Sequence, residues 1–263
     1  KIYPCSFAGI SQVVKKGAWE YYCRFGGLPG LIHQKSEEKK EKLLVDVLQS
    51  YILKDVKSLI KEENIRAFNH LLYLLAQNQG SVVTTAGLSN EVGLTAKTIE
   101  LYLEILAQTY VCFPLNGFSR NYGNELKKSK KYYFYDLGIR NALLKNYSPL
   151  EGRRDAGAIV ESFVFGELNL KQTPETELRF WRLKDGTEVD FIWIKNQKPY
   201  PIEVKTKCKR GEIPKGIRSF INKYPDTEKA FVVNQDLVTE FRYRDVPVHF
   251  IKWKDAASIP AQV

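Results

Sequence analysis

Methionine is absent from all 263 residues, the first position included, and the chain opens at Lys1. We read this as the mark of a fragment of a longer polypeptide, or of a sequence from which methionine has been lost. Histidine (His33, His70, His249) and cysteine (Cys5, Cys23, Cys112, Cys208) are scarce and scattered, and no Cys-x-x-Cys pair occurs. That argues against a zinc site and against a disulfide framework, and it fits a reducing cytoplasm. No apolar run approaches the roughly 20 residues that cross a bilayer as a helix, and the start carries no signal-peptide pattern, so a soluble protein with no membrane partner is expected. Acidic residues are the minority: 40 Lys and Arg against 30 Asp and Glu give a net charge of +10 and a pI near 9.2. The surplus favours polyanionic partners, nucleic acid (DNA or RNA) among them.

What is present divides into two halves, with the break near residues 146–155, "NYSPLEGRRD". Residues 1–30 mix aromatics with a Gly-Gly-Leu-Pro-Gly stop that ends one element before the next begins. From about Glu37 to Glu62, apolar residues such as Leu44, Leu48, Tyr51 and Ile52 follow a helical period, which predicts one long amphipathic helix, with a bend allowed. The run "KSEEKKEK" inside it carries three glutamates among its lysines, so it reads as a solvated helix face. Residues 65–114 then give three helical segments and a strand, with Thr95 as a cap and Gly80 and Gly93 as stops. This is the element order of a winged helix-turn-helix, whose last helix would turn Lys97, Thr98 and Tyr102 toward a major groove. A packing or protein-contact unit would have the same order. Lys127, Lys128, Lys130 and Lys131 stand beside Tyr132 and Tyr133. As a wing this patch would track phosphates; as a plain hairpin its aromatics would be core.

The second half predicts a helix over about 155–171, strands at "LRFWRL", "EVDFIWIK" and "YPIEVKTK", a helix within 211–225, and strands at "KAFVVN" and "VHFIKW". That is an α/β layer, a sheet flanked by helices. Its strands carry charge where a core strand wants Val or Ile. Residues two apart on a strand share a face, so Glu203 and Lys205 project together at a backbone separation of about 7 Å, and Glu188 pairs with Asp190 in the same way. If the two strands are neighbours, carboxylates and an ammonium gather at one end of the sheet. Burying them uncompensated would cost several kcal/mol each, roughly, so they are solvated, paired with cations or gathered about a metal. Mg²⁺, or Mn²⁺ in its place, suits oxygen donors and completes its shell with water and phosphate oxygens. Lys205 beside it could orient a water or offset charge on an attacked phosphate, which describes phosphodiester hydrolysis. A third carboxylate could come from the helix before the sheet, where helical projection leaves both Glu161 and Glu167 open. The run 205–210, "KTKCKR", puts the positive charge of Lys207, Lys209 and Arg210 beside the site, as a phosphate backbone requires, and a plain basic surface loop would look the same; Gln235, Lys207 and Arg182 are second-tier site candidates, with a solvated strand end as the alternative for each.

A helix Glu (Glu161), a strand Asp (Asp190) and an E-x-K on the next strand (Glu203, Lys205) resemble the PD-(D/E)XK nuclease superfamily. The segments "YPCSF", "RFGGLPG", "NYGNELKKSKKYYFYDLGIRNALL", "GAIVESFVFGEL", "FWRLKDGTEVDF" and "PIEVK" together resemble the C-terminal part of a prokaryotic AAA-type ATPase family carrying an uncharacterised nuclease-like domain. The resemblance implies a restriction-endonuclease-like mixed sheet after a helical, winged-helix-like first half. It implies three parts: residues 1–62 as a helical lid region following an ATPase core, 63–148 as the winged-helix-like domain and 149–263 as the nuclease-like domain. It implies Glu161, Asp190, Glu203 and Lys205 as catalytic residues, the three acids as Mg²⁺ ligands. No G-x-x-x-x-G-K-[ST] occurs, so neither ATP binding nor ATPase activity is expected of this chain, and the ATPase module would be a partner outside it. The alternative is a non-catalytic DNA- or protein-binding scaffold governed by that module.

Overall fold

The computed structural model describes residues 4–50, 59–60, 62–120, 129–208 and 212–263. The chain forms two compact units, Lys1–Pro114 with Lys128–Ser162, and Leu115–Lys127 with Phe163–Val263.

The first unit carries helices α1 (Phe7–Val14), α2 (Ala18–Phe25), α3 (Pro29–Ile32), α4 (Glu37–Val47), α5 (Ile65–Gln77), α6 (Thr85–Val92), α7 (Ala96–Gln108) and α8 (Leu137–Leu144). A small sheet joins β1 (Val82–Thr84), β2 (Cys112–Asn116) and β3 (Ser129–Phe134) in the order β1-β3-β2. Its core follows from helical spacing: Phe68, Leu71, Leu72 and Leu75 of α5 are buried with Ile99, Tyr102 and Leu106 of α7 and Ile139 of α8. Phe68 and Tyr102 meet edge to face at 5.5 Å, so Tyr102 is core and does not face a groove. Thr84 and Thr95 accept from Gly87 N and Thr98 N, which caps α6 and α7 in the way short hydroxyl side chains do. The predicted helix over Glu37–Glu62 is observed as α4 and a wider helical turn to Ser50; residues 51–58 and 61 lie outside the described residues. A buried polar clamp went unforeseen. Asp136 accepts from Ile139 N at 3.1 Å, capping α8, and from Gly27 N at 2.7 Å, while Asn141 donates to the carbonyls of Cys23 and Arg24.

Helix α9 (Ala156–Asn169) is divided between the units, its residues to Ser162 belonging to this one and those from Phe163 to the other. The second unit is a six-stranded mixed sheet of β4 (Thr176–Arg182), β5 (Glu188–Lys195), β6 (Lys198–Val204), β7 (Ala230–Asn234), β8 (Thr239–Tyr243) and β9 (Val246–Lys252), in the order β4-β5-β6-β7-β9-β8. β6 runs parallel to β7 and β7 parallel to β9, with the remaining pairs antiparallel. Helix α10 (Lys215–Lys223) buries Ile217, Phe220 and Ile221 against Trp181, Val189, Ile192, Val232 and Val248. Toward α9, Phe165 lies 6.2 Å from Phe191 between ring centres. A 3-10 segment, Trp253–Ala261, buries Ala256 and Ile259.

The expected α/β character, a helical first half followed by a mixed sheet with flanking helices, is what the structure has. One detail differs from expectation and two complete it. β8 is an additional strand, and its "TEFRY" alternates half-buried with exposed positions at the end of the sheet. The β5–β6 turn is Asn196–Gln197, both at positive φ as a tight two-residue hairpin requires. Pro199 and Pro201 lie inside β6, tolerated because β7 pairs with β6 only from Ile202 onward, so no ladder donor is lost. Among the described residues, no helix is long and apolar enough to cross a membrane.

Candidate functional site at the ends of two neighbouring strands

The antiparallel register that pairs Phe191 with Ile202 brings the start of β5 level with the end of β6. The side chains of Asp190 and Glu203 are therefore neighbours because of strand pairing, not chain proximity. Both are buried, at 7% and 5% exposure. The Asp190 carboxylate accepts from Val204 N at 2.8 Å, so it holds the end of β6. Glu203 Oε1 lies 2.7 Å from the Lys205 ammonium. The Lys205 main chain is fixed on both sides: its N–H donates to Val233 O at 2.9 Å, and its carbonyl accepts from the Trp253 ring N–H at 3.2 Å. Burial works to lower the Lys205 pKa, but the carboxylates of Glu203 and, more weakly, Asp190 outweigh it and hold the ammonium above its ordinary value.

The first turn of α10 closes on these strand ends at Gly216. A Cβ there would stand 2.0 Å from Glu188 O and 3.2 Å from Glu203 Oε2, so backbone meets backbone with no room for a side chain. The positive end of the helix thereby lies against Glu203. Glu188 pairs with Arg182 at 3.3 Å across β4 and β5, and Lys215 reaches Asp185 at 3.9 Å. An open cleft of about 690 Å³ is lined by Glu188, Glu203, Lys205, Lys207, Cys208 and Lys215 among others. The half-buried Cys208 thiol is pushed up by burial, which the Lys205 ammonium partly opposes.

Sequence reasoning thus named Asp190, Glu203 and Lys205, and these three are together. It named Glu161, which belongs to the first unit: there its carboxylate accepts from the Tyr133 hydroxyl at 2.5 Å and pairs with Lys131 Nζ at 3.2 Å. Lys131 has no exposure, so it is turned to Glu161 and not to solvent. Glu167, the other helix acid, is buried in the second unit. Lys130 is half-buried on β3, Lys97 is exposed on α7, and Lys207 is exposed in the cleft; Arg182 and Gln235 are also exposed. Lys127, Lys128, Lys209 and Arg210 lie outside the described residues. Lys215, Gly216 and Trp253 were missed. The helix start "PKG" was the available signal for the first two, whereas nothing in the sequence joins Trp253 to Lys205.

Among the described residues, no group of three or more His, Cys, Asp or Glu side chains stands close enough to hold a metal ion. The donor chemistry suits a divalent ion bound by fewer protein ligands: Asp190 and Glu203 offer oxygen only, and Mg²⁺ commonly takes one or two carboxylates and completes its shell with water and phosphate.

Residues 16–149 match a family described as "Domain of unknown function (DUF8612)", and residues 156–255 match a second, "Domain of unknown function (DUF4143)". Similar curated proteins include an uncharacterised protein of Mycobacterium tuberculosis, 25% identical over 74% of this chain and 44% of its own length. One of Methanocaldococcus jannaschii is 30% identical over 65% of this chain and 38% of its own, and one of Haemophilus influenzae is 25% identical over 73% and 49%. The chain thus spans less than half the length of each of these relatives. A crystal structure of a Vibrio cholerae protein aligns at a TM-score of 0.27 and 13% identity, covering 87% of this chain and 56% of that one, a likeness too low to inform the fold.

Proposed function

From the premise that the chain belongs to the DUF8612 family, we propose that its second unit is a nuclease-like module that hydrolyses phosphodiester bonds of DNA with the help of Mg²⁺ or Mn²⁺, RNA being the other candidate substrate. The observation that carries this reading is the convergence of Asp190, Glu203 and Lys205 at two neighbouring strand ends, where Glu203 and Lys205 line an open, lysine-bearing cleft. Asp190 and Glu203 would hold the cation. When bound, it would supply charge to polarise a phosphoryl oxygen and a more acidic water. The chain's own contributions are separate from that: Lys205 presents an ammonium to a phosphate oxygen, Lys207 and Lys215 draw in the backbone, and α10 and Trp253 keep the strand ends in register.

The sheet with its flanking helices supports a restriction-endonuclease-like fold for residues 149–263. The α5–α6–α7 order with β2 and β3 after it supports a winged helix for 63–148, and residues 1–62 would be a lid region. The greater length of the relatives leaves room for the ATPase module that the sequence resemblance implies, acting from the same polypeptide in the cytoplasm.

Cleavage of supercoiled plasmid and of single-stranded DNA in Mg²⁺ or Mn²⁺ tests the proposal. Wild-type protein should nick, and Glu203→Ala, Lys205→Ala and Asp190→Ala should each lose on the order of a hundredfold or more in rate, the usual scale for removing positioned charge at a reacting phosphate. Equal behaviour of all four proteins would end the nuclease reading. A second reading, a non-catalytic DNA- or protein-binding scaffold, is favoured by one observation: both carboxylates already have partners, Val204 N for Asp190 and Lys205 for Glu203.

A further inference from the structure

Glu203 sits deep for a carboxylate, and at that depth an uncompensated charge is strongly unfavourable. Its compensation comes from the Lys205 ammonium, 2.7 Å from Oε1, and from the first turn of α10 packed against Oε2 at Gly216. A divalent ion held by this carboxylate and the ammonium already paired with it would compete for the same oxygen and repel each other. The two partners differ in freedom. The Glu203 side chain is 6% exposed and that of Lys205 is 45% exposed. The Lys205 main chain is held by Val233 O and by the Trp253 ring, so its flexible stem can swing while its anchor stays in place.

We infer that Lys205 is the resident counter-ion of Glu203, and that a divalent cation and the Lys205 ammonium exchange on that carboxylate, so that arrival of the cation frees the ammonium into the cleft to meet a phosphate. The inference rests on the cation-site reading above and adds a coupling to it. Without the cation the strongest positive group at the site is locked to a carboxylate; with it, that group joins Lys207 and Lys215 as a phosphate contact. Cation and polyanion then each strengthen binding of the other, as linkage requires.

The test is Mn²⁺ binding to the full chain at pH 8, followed by the electron paramagnetic resonance signal of free Mn²⁺ and by calorimetry, with no substrate present. Lys205→Met removes the competing charge at similar volume and should bind Mn²⁺ on the order of tenfold tighter than wild type, within the range of ordinary site coupling. Lys205→Arg, which keeps the charge and guards against a folding artefact, should stay near wild type, and Glu203→Gln should lose the site. If Lys205→Met binds no tighter while Glu203-dependent binding persists, the exchange is wrong and the cation site survives. If no protein binds Mn²⁺ through Glu203, the cation site falls and the exchange with it.

Discussion

At Gly216 two opposing effects can be weighed on one atom. A glycine in a helix is ordinarily worse than alanine by about 0.5–1 kcal/mol, so substitution should stabilise. Here the added Cβ would meet Glu188 O at 2.0 Å, a main-chain atom of a paired strand that cannot rotate away. Overpacking of that kind costs about 1–3 kcal/mol, so the steric effect exceeds the propensity gain. Gly216→Ala should therefore lower stability, by up to about 2.5 kcal/mol net on these magnitudes. Gly166→Ala in α9, where nothing lies within 4 Å of the added atom, should be neutral or raise it. Urea denaturation of the two variants checks both signs; a stabilised Gly216→Ala would mean that α10 is not seated on the strand ends as described.

At the scale of elements, two carboxylates of the first unit respond to pH in opposite directions. Asp136 caps α8 and binds Gly27 N, and burial, only partly offset by those backbone donors, raises its pKa to about 6. A folded-state value above the ordinary carboxylate range means that the proton is held more tightly in the folded chain. Its stabilising contribution is full below about pH 4 and is lost as pH rises through about 6. Asp155 is the reverse case: burial alone would raise it, yet the guanidiniums of Arg153 and Arg140 hold it well below the usual range. Its contribution is present above about pH 4 and disappears as acid protonates it. Asp136→Asn should thus remove a fall in melting temperature between pH 4 and 7, and Asp155→Asn should remove a loss seen toward pH 3. Melting curves across that range would contradict this assignment if the Asp136→Asn profile ran parallel to wild type between pH 4 and 7.

These same elements mark what was legible in the sequence. Long periodic helices such as α5, α7 and α9, and β-branched or aromatic strands such as β5 and β7, carry their pattern in consecutive residues, and they were readable. Glu203 and Lys205 were readable as a pair because a period of two is local, and Asp190 joined them once the strands were taken as neighbours. β8 was not: its alternation of half-buried and exposed positions is a weak signal on a short strand at the end of the sheet. The Asp136 and Asn141 clamp was also hidden, since its partners lie up to 118 residues apart. Lys131 read as a surface base from its basic neighbours, and only strand register and the position of Glu161 reveal that it is buried.

For the molecule as a whole, the net charge of +10 says that a polyanion is attracted but not where it lands. Two described surfaces compete for it. On α7 the exposed stripe of Lys97, Glu100, Leu101 and Glu104 holds one ammonium beside two carboxylates, with Leu101 53% exposed, a poor electrostatic footprint for a phosphate backbone. In the cleft of the second unit, Lys207 and Lys215 project into solvent beside Lys205, although acids line the same space. The number of phosphate contacts is read from how steeply affinity falls with salt, and removing one contacting lysine lowers that slope by about 1. Fluorescence anisotropy of a labelled duplex and a labelled single strand, across a salt series, should therefore give a smaller slope for Lys207→Ala and for Lys215→Ala than for wild type. Lys97→Ala should leave the slope unchanged. The reverse pattern would move DNA contact to α7 and support the groove-reading role of the helix, whereas an affinity independent of salt in every protein would remove phosphate contact altogether and leave a protein-binding scaffold as the better account.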